Sequence, residues 1–239
     1  YKPHVGTDIL KEVVKNIRNE IIRLGGEVRF GAKVTDIKIN NNKIESITIN
    51  NEEKIDAEVV ILAIGHSARD TYKMLYENGV KITQKPFAIG ARIEHPQEMI
   101  NKSQYKEFYN HPRLGAADYR LVEHTSNGRT IYTFCMCPGG TVIASASEDG
   151  QVVTNGMSEH ARDKENANSA VLVNVLPEDF GSDHPLAGVS FQEKYERLAF
   201  ELGGKNYKAP IQLVGDFLND RVSNNLGSVN PSYKPGYKF

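Results

Sequence analysis

The sequence lacks several features, and each absence narrows the class of protein. No G-x-G occurs in its 239 residues, so the chain carries no glycine-rich dinucleotide-binding fingerprint. Tryptophan is absent, which excludes a Trp-lined cage. No apolar run approaches 18 residues, so the sequence gives no candidate for a transmembrane helix. The 29 basic and 30 acidic residues leave a net charge of −1, which does not indicate nucleic acid or an anionic membrane as a partner.

Cysteine is also scarce, with Cys135 and Cys137 as the two examples. This number argues against a disulfide scaffold and fits a reducing compartment. No second Cys or His pair completes a zinc-like spacing, so we expect no metal site. The first residues, YKPHVGTD, do not resemble a signal peptide, and the expected location is the cytoplasm. A hydrophobic content of 39% is ordinary for a globular chain of this length.

The most informative segment that is present is AEVVILAIGHSARD, residues 57–70. Its apolar run, Val59–Ile64, predicts a strand buried on both faces, as in a parallel sheet. Gly65 would let a ligand approach the backbone, and Ser67 is a natural N-cap for a helix over 68–77. A ligand at this strand end would fit the usual place of binding in open α/β sheets. The alternative is a buried strand that turns into a helix without a ligand.

The rest of the chain divides into an early mixed part and a later part rich in antiparallel strands. A helix that starts at Thr7 or Asp8 is predicted to end at Gly25-Gly26. A hairpin turning at Asn40–Asn42 and a helix over 191–202 are also predicted. Other strands are predicted over 27–30, 33–39, 43–50, 80–82, 87–93, 119–123, 130–136, 141–146, 151–155 and 170–175.

The two cysteines are the first candidates for chemistry. On a regular strand, Cys135 and Cys137 would share a face, where thiols could take part in redox exchange. Gly139-Gly140 would let a flat ring approach the backbone. The alternative is two small buried residues before a Pro-Gly turn.

The other candidates are basic or hydroxyl-bearing side chains. The imidazole of His66 could donate to a cofactor or substrate oxygen, or bond locally at the helix start. Thr7, after Gly6, offers either a ligand contact or ordinary capping. Arg92 and His95 are predicted substrate contacts because guanidinium groups suit carboxylate and phosphate. A surface ion pair between Arg92 and Glu94 is the alternative.

The segment from the first helix to residue 70 resembles the second half of the FAD-binding domain in flavoproteins of the glutathione-reductase-like class. A closer resemblance is carried by a set of motifs along the chain: KPHVGTD (2–8), AIGHSARD (63–70), KPFAIGARIEHP (85–96), LGAADY (114–119), TFCMCPGG (133–140), VTNGMSEHARD (153–163), NANSA (166–170), FELGG (200–204) and QLVGDF (212–217). Taken together, these motifs resemble a family of bacterial FAD-dependent dehydrogenases, uncharacterised and also described as NAD-utilising.

The resemblance implies the fold class and the domains. It implies an α/β fold, α+β overall. Residues 1–84 would be part of a three-layer FAD-binding domain. Residues 85–239 would be an inserted substrate or cap domain, largely antiparallel β plus α. A glycine-rich strand–turn–helix would precede residue 1, and a closing FAD-contacting segment would follow residue 239. The chain would then be the central portion of an oxidoreductase.

The resemblance also implies the cofactor and its site. FAD would be bound by the full-length protein and only weakly by this chain, with NAD(P)H as a candidate electron donor and a small molecule as substrate. The catalytic candidates are Cys135 and Cys137, and the oligomeric state is open. A non-catalytic ligand- or partner-binding module on the same scaffold is the alternative function. The implied cofactor contacts are Gly6, Thr7, Asp8, Ala63, Gly65, His66, Ser67, Pro138, Gly139 and Gly140.

Overall fold

The computed structural model describes residues 3–236, which fall into two compact units. The larger unit comprises residues up to Lys15, Pro86–Leu176 and the chain from Glu193 onward, and the smaller unit comprises Asn16–Lys85 and Pro177–Gln192. Helices and antiparallel sheets are mixed along the chain, which confirms the α+β class. The assignment of domains to 1–84 and 85–239 stays a prediction. No helix within residues 3–236 combines the length and apolarity needed to cross a membrane.

Helix α1 spans Thr7–Arg23, as its sequence predicts, and ends in a Schellman motif. The Gly26 amide donates to the Ile21 carbonyl at 2.9 Å, and the Gly25 amide donates to the Ile22 carbonyl at 3.0 Å. Gly25 has a φ of +86°, the left-handed conformation that glycine adopts without strain. No residue of α1 is buried in the described structure, although its apolar positions recur at helical spacing.

The smaller unit is built on a three-stranded antiparallel meander, β1 (Val34–Asn40), β2 (Lys43–Ile49) and β3 (Glu53–Asp56). Asn41 and Asn42 have φ values of +48° and +60°, the pair of left-handed residues that a tight hairpin requires. Helix α2 (Arg69–Glu77) packs on β1 and buries Leu75. The predicted hairpin and the helix after residue 67 are therefore confirmed.

The prediction of a buried strand over 59–64 is wrong for this structure. The segment forms no strand, and Val59 and Ile61 are 80% and 87% exposed. A buried strand needs neighbouring strands to bond its backbone, and within residues 3–236 no strand pairs with this segment. The strands predicted over 27–30 and 80–82 are also absent.

The turn that follows has the predicted glycine but not the predicted cap. Gly65 has a φ of +67°, and its carbonyl accepts a hydrogen bond from the Tyr72 hydroxyl at 2.8 Å. The N-cap of α2 is Ala68, with no side-chain cap bond, so the prediction that Ser67 caps the helix is wrong. Ser67 offers its backbone carbonyl to the Arg69 amide instead.

The larger unit contains a four-stranded antiparallel sheet in the order β4-β9-β6-β5 and a separate hairpin, β7–β8. Strands β4 and β9 pair without interruption from Phe87↔Val175 to Pro96↔Asn166. Gly90 allows this close pairing, because a Cβ there would overlap the Val171 carbonyl. The strands are β4 (Phe87–Pro96), β5 (Val122–His124), β6 (Thr130–Cys137), β7 (Gly140–Ser145), β8 (Val153–Ser158) and β9 (Asn166–Val175).

Three helices complete the chain after β4. They are α3 (Gln97–Tyr105), α4 (Ala187–Leu202) and α5 (Val214–Leu218). Single 3-10 turns cover Lys106–Phe108 and Pro177–Phe180. The buried apolar side chains of the larger unit are small, so its core depends on close backbone approach as well as on side-chain volume. They are Ala117, Cys137, Val142, Val152, Ala167, Val175 and Ala209.

Candidate functional site

Three segments that are distant in sequence meet at one open cleft in the larger unit. They are residues 4–10, 135–138 and 156–162, and the cleft has a volume of about 290 Å³. That volume lies at the lower limit for small-molecule sites. The lining residues are His4, Gly6, Thr7, Leu10, Cys135, Met136, Cys137, Pro138, Gly156, Met157, Ser158 and Arg162.

The first wall of the cleft is the start of α1, which is fixed to the end of β8. The Thr7 hydroxyl donates to the Ser158 carbonyl at 3.2 Å, and the His160 amide donates to Oδ1 of Asp8 at 2.9 Å. This amide holds the pKa of Asp8 below its usual value. Gly6 has a φ of +89°, and a Cβ there would overlap the His160 amide nitrogen. The predicted residues 6–8 therefore have structural contacts that explain their identity, and their cofactor role stays a prediction.

The second wall is an irregularity at the end of β6. Phe134 pairs with Ala170 and Cys137 pairs with Asn168, so β6 has one residue more than β9 in this interval. Cys135 is the extra residue of this β-bulge, and its φ is +48°. The prediction that Cys135 and Cys137 share a face of a regular strand is wrong, because this bulge breaks the alternation. Cys135 is exposed, whereas Cys137 is 7% exposed.

The Cys137 thiol is held in its protonated form. Burial is the main cause that raises its pKa to about 11, and the neighbouring Cys135 raises it further. Its sulfur lies 3.3 Å from the Cys135 carbonyl oxygen, to which the thiol donates. A thiol of this kind is a poor nucleophile at neutral pH, since the thiolate is the reactive form.

Arg92 lies beneath the bulge and outside the set of lining residues. Its Nη1 donates to Oδ1 of Asn168 at 2.6 Å and to the Cys135 carbonyl at 3.3 Å. Glu94 instead accepts hydrogen bonds from Asn166 and from the Ser232 amide, so the ion pair weighed for Arg92 and Glu94 is not formed. Within residues 3–236, Nε of Arg92 and Nδ2 of the fully buried Asn168 have no hydrogen-bond partner.

His95 is buried near the end of β4 and also lies outside the cleft lining. Its Nε2 is 2.9 Å from the Tyr119 hydroxyl. Burial lowers the pKa of His95 and raises the pKa of Tyr119, so both groups are neutral near pH 7. Substrate contact by Arg92 or His95 stays a prediction, and both side chains already have partners inside the protein.

The glycine pair after Pro138 is explained by the protein's own backbone. Gly139 has a φ of +47°, and a Cβ there would overlap the Arg162 carbonyl oxygen. A Cβ at Gly140 would overlap the Met157 carbonyl oxygen. Close approach of the protein's own backbone therefore explains both glycines, and their contact with a flat cofactor ring stays a prediction.

Comparison with known proteins gives the family. Residues 86–239 match the family model described as "FAD-dependent protein, C-terminal domain-like". The chain belongs to this family. It is also 60% identical over all 239 residues to an uncharacterised protein of Clostridium beijerinckii. The chain spans 45% of the length of that relative.

Within this FAD-dependent family member, the structure brings together only some of the predicted site residues. Gly6, Thr7, Cys135, Cys137 and Pro138 line the cleft of the larger unit. Residues 63 and 65–67 lie in the smaller unit. Their roles stay predictions. Within residues 3–236, no group of three His, Cys, Asp or Glu side chains is placed to hold a metal ion.

The predicted site residues do not include several that line the cleft, among them Leu10, Met157 and Arg162. The spacing predicts Leu10 on a helix face, and Met157 lies two residues after the strand predicted over 151–155. Arg162 lies in the motif VTNGMSEHARD, but its position in the cleft depends on a φ of +53°. No pattern of side chains predicts a left-handed backbone conformation at an arginine. The motif VTNGMSEHARD was therefore the one feature of the sequence that pointed to Arg162.

Proposed function

We propose that this chain is the central part of an FAD-dependent oxidoreductase, a dehydrogenase, and that the cleft of the larger unit accepts the reacting end of the cofactor or the substrate. The observation that carries the proposal is the meeting of residues 4–10, 135–138 and 156–162 in one cleft. These segments come from three of the motifs that resemble the flavoprotein family. The match of residues 86–239 to an FAD-dependent family supports the same function.

The cleft fits the flavin ring of FAD better than its pyrophosphate. Nε of Arg92 and Nδ2 of Asn168 are buried donors without a partner, but they lie outside the cleft lining, so the fit is judged on the lining and the volume of the cleft. The cleft volume of about 290 Å³ suits a ring or a small substrate rather than a dinucleotide. The sequence holds no G-x-G for the pyrophosphate. We therefore propose that this chain binds the flavin ring and the substrate. The pyrophosphate of FAD would be bound by a part of the full-length protein outside these 239 residues.

The chain's own residues would bind and orient the reacting groups and would exclude water. Leu10, Met136 and Met157 give the cleft apolar walls, which disfavour water around a reacting group. Arg92 holds the Cys135 carbonyl and thereby fixes the bulge. FAD, when bound, supplies two-electron transfer, and the protein supplies position and electrostatics. Because the pKa of Cys137 is raised to about 11, we assign this thiol a packing role, and a catalytic thiol would have to be Cys135.

The donor, the substrate class and the compartment belong to the same proposal. NADH or NADPH would reduce the flavin, a small molecule would be the substrate, and the cytoplasm would be the compartment. Two cysteines that form no disulfide in the structure are compatible with a reducing compartment.

A second candidate function is a ligand-binding module without catalysis. The observation that favours it is the burial of Cys137, one of the two predicted catalytic thiols, because burial raises its pKa to about 11 whereas a nucleophilic thiol needs a lowered pKa. Fold alone does not decide between the two functions.

The deciding experiment is a visible absorption spectrum of the full-length C. beijerinckii relative, purified and then treated anaerobically with NADH or NADPH. We expect a bound flavin whose absorption bleaches. A flavin that stays oxidised with both nucleotides would contradict the nicotinamide donor but leave a flavoprotein. A colourless protein that cannot be reconstituted with FAD would contradict the oxidoreductase and favour the binding module.

A further inference from the structure

Arg162 is a charged residue in a cleft that otherwise has uncharged walls. Among the described residues that line the cleft, it is the one side chain with a formal charge at neutral pH. Its Nε is buried and has no hydrogen-bond partner within residues 3–236. A buried guanidinium nitrogen without an acceptor is costly, and arginine usually meets this cost by pairing with an anion.

Two carboxylates close to Arg162 in the fold, those of Glu159 and Asp8, have other partners. Glu159 pairs with Lys164 at 3.2 Å, and Asp8 accepts the His160 amide. Arg162 has no ion pair with a carboxylate of the described chain, residues 3–236.

The backbone around Arg162 fixes this residue at the cleft. Its φ of +53° is unusual for a residue with a side chain. The Arg162 amide donates to the Glu159 carbonyl at 3.2 Å, and the Lys164 amide donates to the Gly139 carbonyl at 3.2 Å. Gly139 lacks the Cβ that would overlap the Arg162 carbonyl. Strained residues held by their surroundings in this way concentrate at functional sites.

We propose that the cleft binds a small organic carboxylate through Arg162, and that this carboxylate is the substrate class of the oxidoreductase proposed above, on which this assignment rests. The planar guanidinium fork matches the two oxygens of a carboxylate. Leu10, Met136 and Met157 would contact an apolar body. The volume of about 290 Å³ favours a molecule of a few to about ten heavy atoms over a nucleotide.

The test is calorimetric titration of the full-length protein with butyrate, hexanoate and benzoate. Benzamide serves as the uncharged match for benzoate, and inorganic phosphate as the competing anion. We expect at least one carboxylate to bind, with benzamide weaker than benzoate by about tenfold or more. No binding by any of the three carboxylates would overturn the proposal, as would benzamide equal to benzoate or phosphate tighter than every carboxylate.

Variants then assign the binding to one side chain. Arg162→Gln should weaken carboxylate binding by about tenfold to a hundredfold, and Arg162→Lys by less, because lysine keeps the charge but loses the fork. Arg120→Gln is the control, an exposed arginine of the same unit outside the cleft lining. Unchanged binding by Arg162→Gln would overturn the proposal. If Arg162→Gln does not unfold cooperatively, the comparison of benzoate with benzamide on the unmodified protein still tests whether the cleft recognises a carboxylate.

Flavin content, measured on the same samples, separates the two proposals. A yellow protein that is reduced by NAD(P)H but binds no carboxylate would overturn the substrate class alone. A colourless protein that binds carboxylates through Arg162 would overturn the oxidoreductase and leave an anion-binding cleft.

Discussion

Cys135 and Cys137 are separated by one residue, yet the bulge gives their thiols opposite properties. Cys135 is exposed, whereas Cys137 is buried and its pKa is raised to about 11. A raised pKa lowers the thiolate fraction at pH 7–8, and burial also blocks a reagent from the sulfur. The two effects act in the same direction, so the two thiols should differ in reaction rate.

We therefore predict that iodoacetamide at pH 8 modifies one thiol per folded chain quickly and the second only after denaturation. Mass spectrometry of the intact protein would follow the two steps. Cys135→Ser should remove the fast step, and Cys137→Ser should leave it. Equal rates for both thiols in the folded protein would contradict the assigned burial of Cys137.

At the scale of elements, the turn between β6 and β7 depends on Gly139, where a left-handed backbone and a close approach coincide. Gly139→Ala should lower the free energy of unfolding by about 2 kcal/mol or more, because the added Cβ overlaps the Arg162 carbonyl and the left-handed conformation becomes strained. Urea denaturation would measure the change.

Gly115→Ala is the matched control for that substitution. A Cβ at Gly115 meets no atom within 4 Å, and its φ is not positive. We expect a change within about 0.5 kcal/mol. Equal losses at Gly115 and Gly139 would show that the backbone contact between Gly139 and Arg162 is not the cause.

Local signals predicted the elements that depend on neighbours in sequence. The Gly25-Gly26 stop of α1 and the left-handed Asn41-Asn42 pair are properties of short segments, so the sequence alone was sufficient. The cleft was predicted only in part. Its motif residues were found, but the bulge at Cys135 and the approach of Arg162 to Gly139 depend on pairing between β6 and β9 and on contacts across more than 20 residues.

The whole molecule presents apolar surface where the sequence predicted a buried strand. Val59 and Ile61 are 80% and 87% exposed, and α1 has no buried residue in the described structure. The chain spans 45% of its C. beijerinckii relative. An apolar run that has no partner here would be covered if further chain supplied a neighbouring strand.

Substitution at these two positions tests that explanation. In the 239-residue chain, Val59→Ser with Ile61→Ser should change the free energy of unfolding by less than about 0.5 kcal/mol per site, because exposed side chains lose little on truncation. In the full-length protein the same pair should cost about 2 kcal/mol or more per site, the usual loss for buried aliphatic side chains. Val222→Ser, 68% exposed in the larger unit, is the control expected to be neutral in both. A neutral result for Val59 and Ile61 in the full-length protein would mean that further chain leaves the run uncovered, and the predicted parallel strand would then be wrong for the whole protein as it is for this chain.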